Sequence, residues 1–138
     1  MNTPEIAKIL PPDTLLSRPF WEGCRQQELR LQHCADCHQF QFYPRIVCSH
    51  CDGSDLSWRK VTGKGRVASF TIVRRGISRA YEAPYIVALI DLDEGPRMMS
   101  SVVGTEPESV TIGDIVEVQF NQWGEDYLMP VFQKLEQI

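Results

Sequence analysis

Residues 34–51 read CADCHQFQFYPRIVCSHC, two Cys-x2-Cys pairs with ten residues between them. Each pair, Cys34/Cys37 and Cys48/Cys51, is expected to fold as a tight knuckle with both sulfurs pointing inward. Two knuckles face to face make a tetrahedral thiolate site. The gap is shorter than the common zinc-ribbon gap, so a compact hairpin should join the knuckles. Zn²⁺ is the expected ion, with a single Fe, which four thiolates also hold, as the alternative. Four protein ligands close the site, which makes the metal structural. Disulfides are the competing use of these cysteines. An odd fifth cysteine, Cys24, and an expected intracellular location argue against them. Cys24 itself reads as a small buried hydrophobe on a helix. A nucleophilic thiol would need a base and a cleft, and the sequence displays neither. His33, His38 and His50 flank the knuckles and read as exposed residues, with replacement of one thiolate ligand as the alternative.

Around the knuckles the pattern alternates. Leu29-Arg30-Leu31-Gln32-His33 and Phe40-Gln41-Phe42-Tyr43 predict short strands, and Leu56, Trp58 and Val61 continue the alternation. A ribbon of this size does not fold without its ion. From Gly63 onward the pattern is all β. Residues 67–73 and 85–90 are rich in β-branched and apolar residues, the second nearly continuous and read as central. Glu94-Gly95-Pro96 is a turn, and 97–103 is a strand hairpinned onto 85–90. Pro107–Val110 predicts one helical turn. Residues 114–120 alternate, with Val116, Val118 and Phe120 on one face. Residues 128–135 form the last strand, where Pro130 marks an edge or bulge. Five strands with a helical link between the third and fourth fit an OB-type barrel, with an SH3-like barrel as runner-up.

On the N-terminal side, Pro11-Pro12 keeps residues 1–16 as an extended arm. Ser17 is the expected N-cap of a helix over 18–27, with Pro19 tolerated in its first turn. Phe20, Trp21 and Cys24 give that helix an apolar stripe. The organisation is therefore an arm and helix over 1–28, a zinc ribbon over 29–61 and a barrel over 62–138. No apolar run approaches the roughly 20 residues that span a bilayer, and no leader pattern opens the chain. A cytoplasmic location is expected.

The net charge of −4 is uneven: residues 25–79 carry +6 and residues 80–138 carry −9. A basic middle beside an acidic tail suggests an anionic ligand on one face. An overall pI near 5.3 argues against a nucleic-acid partner, although zinc ribbons and OB barrels both serve that role. A nucleic-acid-binding module stays as the alternative. No Ser-His-Asp set, phosphate loop or open metal site is legible. Asp91, Asp93 and Glu94 cluster, but the simpler reading there is a turn.

The chain resembles the "domain of unknown function 35" family, a rubredoxin-like zinc ribbon followed by an OB-fold. The resemblance rests on Phe20-Trp21-x-Gly23, Leu31-Gln32-x-Cys34-x2-Cys37, Tyr43-Pro44-Arg45-x2-Cys48-x2-Cys51 and Gly63-x-Gly65-x-Val67. It continues through Ala83-Pro84-Tyr85-x-Val87-Ala88, Asp93-Glu94-Gly95-Pro96-Arg97 and Ile112-Gly113-x2-Val116-Glu117-Val118. One departure is visible. The family often carries a glycine just before the strand at Leu29-Arg30-Leu31, where this chain has Gln27-Glu28.

The resemblance implies a small non-catalytic accessory subunit in acyl-CoA metabolism. Such a subunit accompanies a thiolase-like or ketoacyl-synthase-like enzyme and binds acyl-CoA or bridges enzymes that share it. CoA carries a 3′-phosphate and a pyrophosphate, so bases are needed. The loop 74–84 borders the usual OB ligand face and offers Arg74, Arg75 and Arg79, the candidate phosphate contacts. Arg45 and Arg66 are weaker candidates. Phe20 and Trp21 bury either in this domain or against a partner and are the candidate docking residues.

Overall fold

The computed structural model describes residues 9–135. Two sheets follow one short helix. Helix α1 (Arg18–Arg25) leads into β1 (Arg30–Cys34), β2 (Phe40–Gln41) and β3 (Leu56–Lys60). The second sheet contains β4 (Lys64–Val73), β5 (Tyr85–Leu92), β6 (Arg97–Ser100), β7 (Val102–Val103), β8 (Ile115–Trp123) and β9 (Tyr127–Lys134). A 3₁₀ turn, Pro107–Ser109, links β7 to β8. Among the described residues no helix is long and apolar enough to cross a membrane.

Helix α1 starts at Arg18 as expected, but it is capped differently and ends two residues earlier than the expected Gln27. Ser17 has helical backbone angles and makes no side-chain cap bond. Thr14 takes that role one turn earlier: its Oγ1 accepts the Ser17 N–H at 3.1 Å and its carbonyl accepts the Arg18 N–H at 3.1 Å. The helix ends at Arg25 in a Schellman arrangement. Glu28 N–H bonds to Gly23 O at 2.8 Å and Gln27 N–H to Cys24 O at 3.0 Å. That motif puts Gln27 at φ 58°. A glycine adopts this left-handed backbone without steric cost. The departure from the family pattern therefore falls at the position that demands this geometry.

The ribbon sheet has the order β2-β1-β3, all antiparallel. The larger sheet runs β6-β5-β4-β8-β9-β7. Only Ser101 separates β6 from β7, so the two ends of this sheet are one broken strand and the sheet closes into a five-stranded OB barrel. The expected strand over 97–103 is thus split. Its first half pairs antiparallel with β5, and its second half pairs parallel with β9. The Ser101 carbonyl accepts the Phe132 N–H at 2.9 Å, and the Ser100 hydroxyl donates to Pro130 O at 3.0 Å. Strand period two aims the missing N–H of Pro130 to that same side, where the parallel ladder has not begun. The proline costs β9 no bond to β8. A bulge between Val67 and Ser69 bends β4. Its first residues can then pair with β8 while the whole strand pairs with β5.

One hydrophobic cluster runs through helix, ribbon and barrel. Phe20, Cys24, Leu29, Leu31 and Val61 join Val67, Ile90, Val116 and Phe132. Burying a side chain such as Phe132 contributes about 2–3 kcal/mol. The cluster sets the angle between ribbon and barrel and therefore shapes the groove described below.

Candidate metal centre and apolar groove

The two knuckles are built alike. In the first, His38 sits at φ 62° and its N–H bonds to Cys34 O at 2.8 Å. In the second, Asp52 sits at φ 62° and its N–H bonds to Cys48 O at 3.0 Å. Each turn aims two sulfurs inward. The four Sγ atoms of Cys34, Cys37, Cys48 and Cys51 lie within 4.8 Å of one another. Cys34–Cys51 and Cys37–Cys48 are each 3.6 Å apart. Zn–S bonds of about 2.3 Å in a tetrahedron put sulfurs about 3.8 Å apart, so the donor set fits zinc. Packing supports the same cradle: a Cβ on Gly53 would come within 2.5 Å of Asp36 Oδ2 and 3.2 Å of Cys51 Sγ. Burial raises the Cys48 thiol pKa, but the N–H groups of His50 and Cys51 outweigh it and bring the thiol down to about 7. The four thiolates would hold a structural zinc, and with four protein ligands the site would be closed.

None of the three histidines joins the cluster. His38 and His50 are exposed as expected. His33 is not: it is buried, its ring stacked edge-on 4.8 Å from Phe40. Cys24 is fully buried, and desolvation pushes its thiol up to about 12.

Gln32 and Gln41 escaped the sequence reading, where they were the polar members of two alternating stretches. Both are buried. Gln32 Oε1 accepts the Arg45 N–H at 2.8 Å and a Gln41 Nε2–H at 2.6 Å, while Gln32 Nε2 donates to Arg45 O at 2.9 Å. Gln41 Oε1 accepts the Ser49 N–H at 2.8 Å, and its Nε2 donates to Val47 O at 3.3 Å. Buried amides stay buried only when satisfied. Here their partners are each other and the backbone of Arg45, Val47 and Ser49, at and just before the second knuckle.

A groove of about 1300 Å³ opens between arm, helix, ribbon loop and barrel. Ile9, Leu16, Tyr43, Ile77 and Met99 line it, and all are exposed. Met98 and Met129 line it as well, giving an adaptable apolar surface. The arm forms one wall because two aromatic side chains of the barrel, one on the β4–β5 loop and one at the end of β8, grip its backbone. Ile9 N–H donates to Tyr81 Oη at 2.7 Å, and Trp123 Nε1–H donates to Ile9 O at 2.9 Å.

Of the expected site residues outside the metal cluster, Phe20, Trp21 and Arg79 line this groove and Arg74 and Arg75 do not. Phe20 keeps 5% of its surface exposed and belongs to the core. Trp21 is half-buried between Phe20 and Tyr127, at 5.0 and 5.3 Å. Both line the groove floor. Of the three loop arginines, only Arg79 lines it. Arg74 turns away to an exposed ion pair with Glu108 at 3.1 Å, and Arg75 is exposed.

Comparison with known proteins follows this geometry. Residues 21–57 match the family described as ChsH2, rubredoxin-like zinc ribbon domain. Residues 58–121 match that described as ChsH2, C-terminal OB-fold domain. A DUF35 domain-containing scaffold protein of Methanothermobacter thermautotrophicus is 36% identical over 95 residues, covering 67% of this chain and 71% of that one. A probable enoyl-CoA hydratase alpha subunit of Thermomonospora curvata is 32% identical over 135 residues and 96% of this chain. The match spans only 42% of that relative's length. A solved structure titled Ltp2-ChsH2(DUF35) aldolase superposes with a TM-score of 0.83 at 30% identity, covering 91% of this chain and 98% of that one.

Proposed function

This chain belongs to the DUF35 family of zinc-ribbon and OB-fold scaffold proteins, and on that premise we propose that it is an accessory subunit of an acyl-CoA-processing complex. It docks a thiolase-like or ketoacyl-synthase-like acyltransferase and does no chemistry itself. The observation that carries this reading is the apolar groove. Exposed hydrophobics scattered singly mean little, whereas a contiguous patch marks an interaction site. Here arm, ribbon and barrel contribute exposed apolar side chains to one concavity, and the helix adds half-buried Trp21. The names of relatives, an enoyl-CoA hydratase alpha subunit and an Ltp2-ChsH2(DUF35) aldolase, supply the metabolic class.

CoA phosphates are the second expected contact. Arg79 on the groove wall and Arg75 beside it are available, and Arg74 becomes so if it leaves Glu108. The test is native mass spectrometry of the full chain purified gently from its own host. The expected mass contains a larger thiolase-like subunit and one zinc per chain. A chain that is always recovered alone overturns the docking reading. CoA titrated into the recovered complex should bind about tenfold more weakly to Arg79→Glu, the loss of one charged hydrogen bond. Unchanged affinity would remove CoA from this loop.

A further inference from the structure

The ribbon loop Tyr43–Val47 exposes its apolar side chains under constraint. Tyr43, Ile46 and Val47 are all exposed, Ile46 to 80%. A free loop of this composition would turn some of them inward. This one cannot. Both backbone groups of Arg45 are bonded to the buried Gln32 side chain, Val47 O is held by Gln41, and Cys48 next to it belongs to the four-cysteine cluster that would hold the zinc. Two buried polar side chains thus hold an apolar protrusion in water, beside a knuckle that the ion would fix. Ordering a loop beforehand removes that cost from binding.

We propose that residues 43–47 form a preorganised docking finger that inserts into an apolar cleft of the acyltransferase subunit, with a carboxylate of that subunit at the rim. The proposal rests on the docking reading above and says which surface makes the contact. Two observations on this molecule select the occupant's chemistry. The finger is continuous with the groove, since Tyr43 and Pro44 line it, so a partner seated in the groove reaches the finger. The finger's one charge is Arg45, whose guanidinium has no carboxylate partner among the described residues. An exposed guanidinium set between Tyr43 and Ile46 suits bidentate pairing with a partner carboxylate. Tyr and Arg are also the residue types enriched at the energetic centres of interfaces.

The test titrates full-length, zinc-loaded chain against the purified thiolase-like or ketoacyl-synthase-like subunit recovered with it. Ile46→Asp should weaken binding by about thirtyfold or more, the effect of losing an anchor residue. Arg45→Gln should weaken it by about tenfold and flatten its salt dependence. Ile112→Asp is the control, since Ile112 is as exposed as the finger residues and lies outside the groove lining. It should leave affinity unchanged. Zinc content and melting temperature verify that each variant is folded. Wild-type affinity in both finger variants, or an equal loss in Ile112→Asp, overturns the finger and leaves the docking reading standing. Failure of the wild-type chain to bind that subunit overturns both.

Discussion

Replacing Gly63 by alanine tests how rigidly the ribbon is fixed to the barrel. Gly63 lies between β3 and β4 at φ +76°, and its carbonyl accepts the Val118 N–H at 2.7 Å. A Cβ added there would run into Cγ1 of Val118. Two costs follow. Left-handed backbone costs an alanine about 1 kcal/mol. Val118 packs against the core cluster, and forcing it aside costs about 1–3 kcal/mol more. Gly104 separates the two. It has nearly the same backbone, φ +75°, with nothing within 4 Å of an added Cβ. Gly104→Ala should therefore lose about 1 kcal/mol and Gly63→Ala about 2–4 kcal/mol. At about 3 °C per kcal/mol for a chain of this length, the melting temperatures should fall by about 3 °C and about 6–12 °C. The assay is calorimetry of zinc-loaded protein, supported by urea unfolding. Equal losses in the two variants would refute the claim that a Cβ at position 63 has to displace Val118.

Two further outcomes are expected. Cys34→Ser should strip zinc from the protein and abolish hydrogen-exchange protection across β1–β3, because a ribbon this small depends on its ion. Full zinc content by elemental analysis would show that the four-thiolate assignment is wrong. The second concerns acid. Burial tends to raise the Asp114 pKa, but the N–H and hydroxyl of Thr111 and the Lys134 ammonium outweigh it and hold the carboxyl below its usual 3.8. A depressed folded pKa stabilises the fold above the unfolded value, and that contribution is lost as pH falls through the folded one. The stability gap between wild type and Asp114→Asn should thus shrink below about pH 4. Urea unfolding from pH 6 to pH 3 reads it, and a gap independent of pH contradicts the sign.

Much of this architecture was legible without coordinates. The Cys-x2-Cys pairs gave the metal centre, since a knuckle is a local turn. Alternation gave the barrel strands to within a few residues, since period two belongs to the strand itself. The misplaced details share one cause. Propensity favours Ser17 as the cap, whereas Thr14 sits where the chain turns. Residues 97–103 read as one strand because nothing local shows that Val102 and Val103 pair with β9, about 30 residues away. His33 read as exposed because polarity was weighed without the Phe40 ring that covers it.

The sequence alone therefore determined the elements and the four metal ligands, because backbone propensity and knuckle geometry act over a few consecutive residues. The tertiary structure alone decided where those elements meet. Gln32 and Arg45, 13 residues apart, become partners only when β1 lies beneath the ribbon loop. The groove exists only because helix, ribbon and barrel pack around a shared core while Tyr81 and Trp123 hold the arm beside them. Its apolar side chains come from four distant segments, and no local pattern shows which exposed hydrophobics become neighbours.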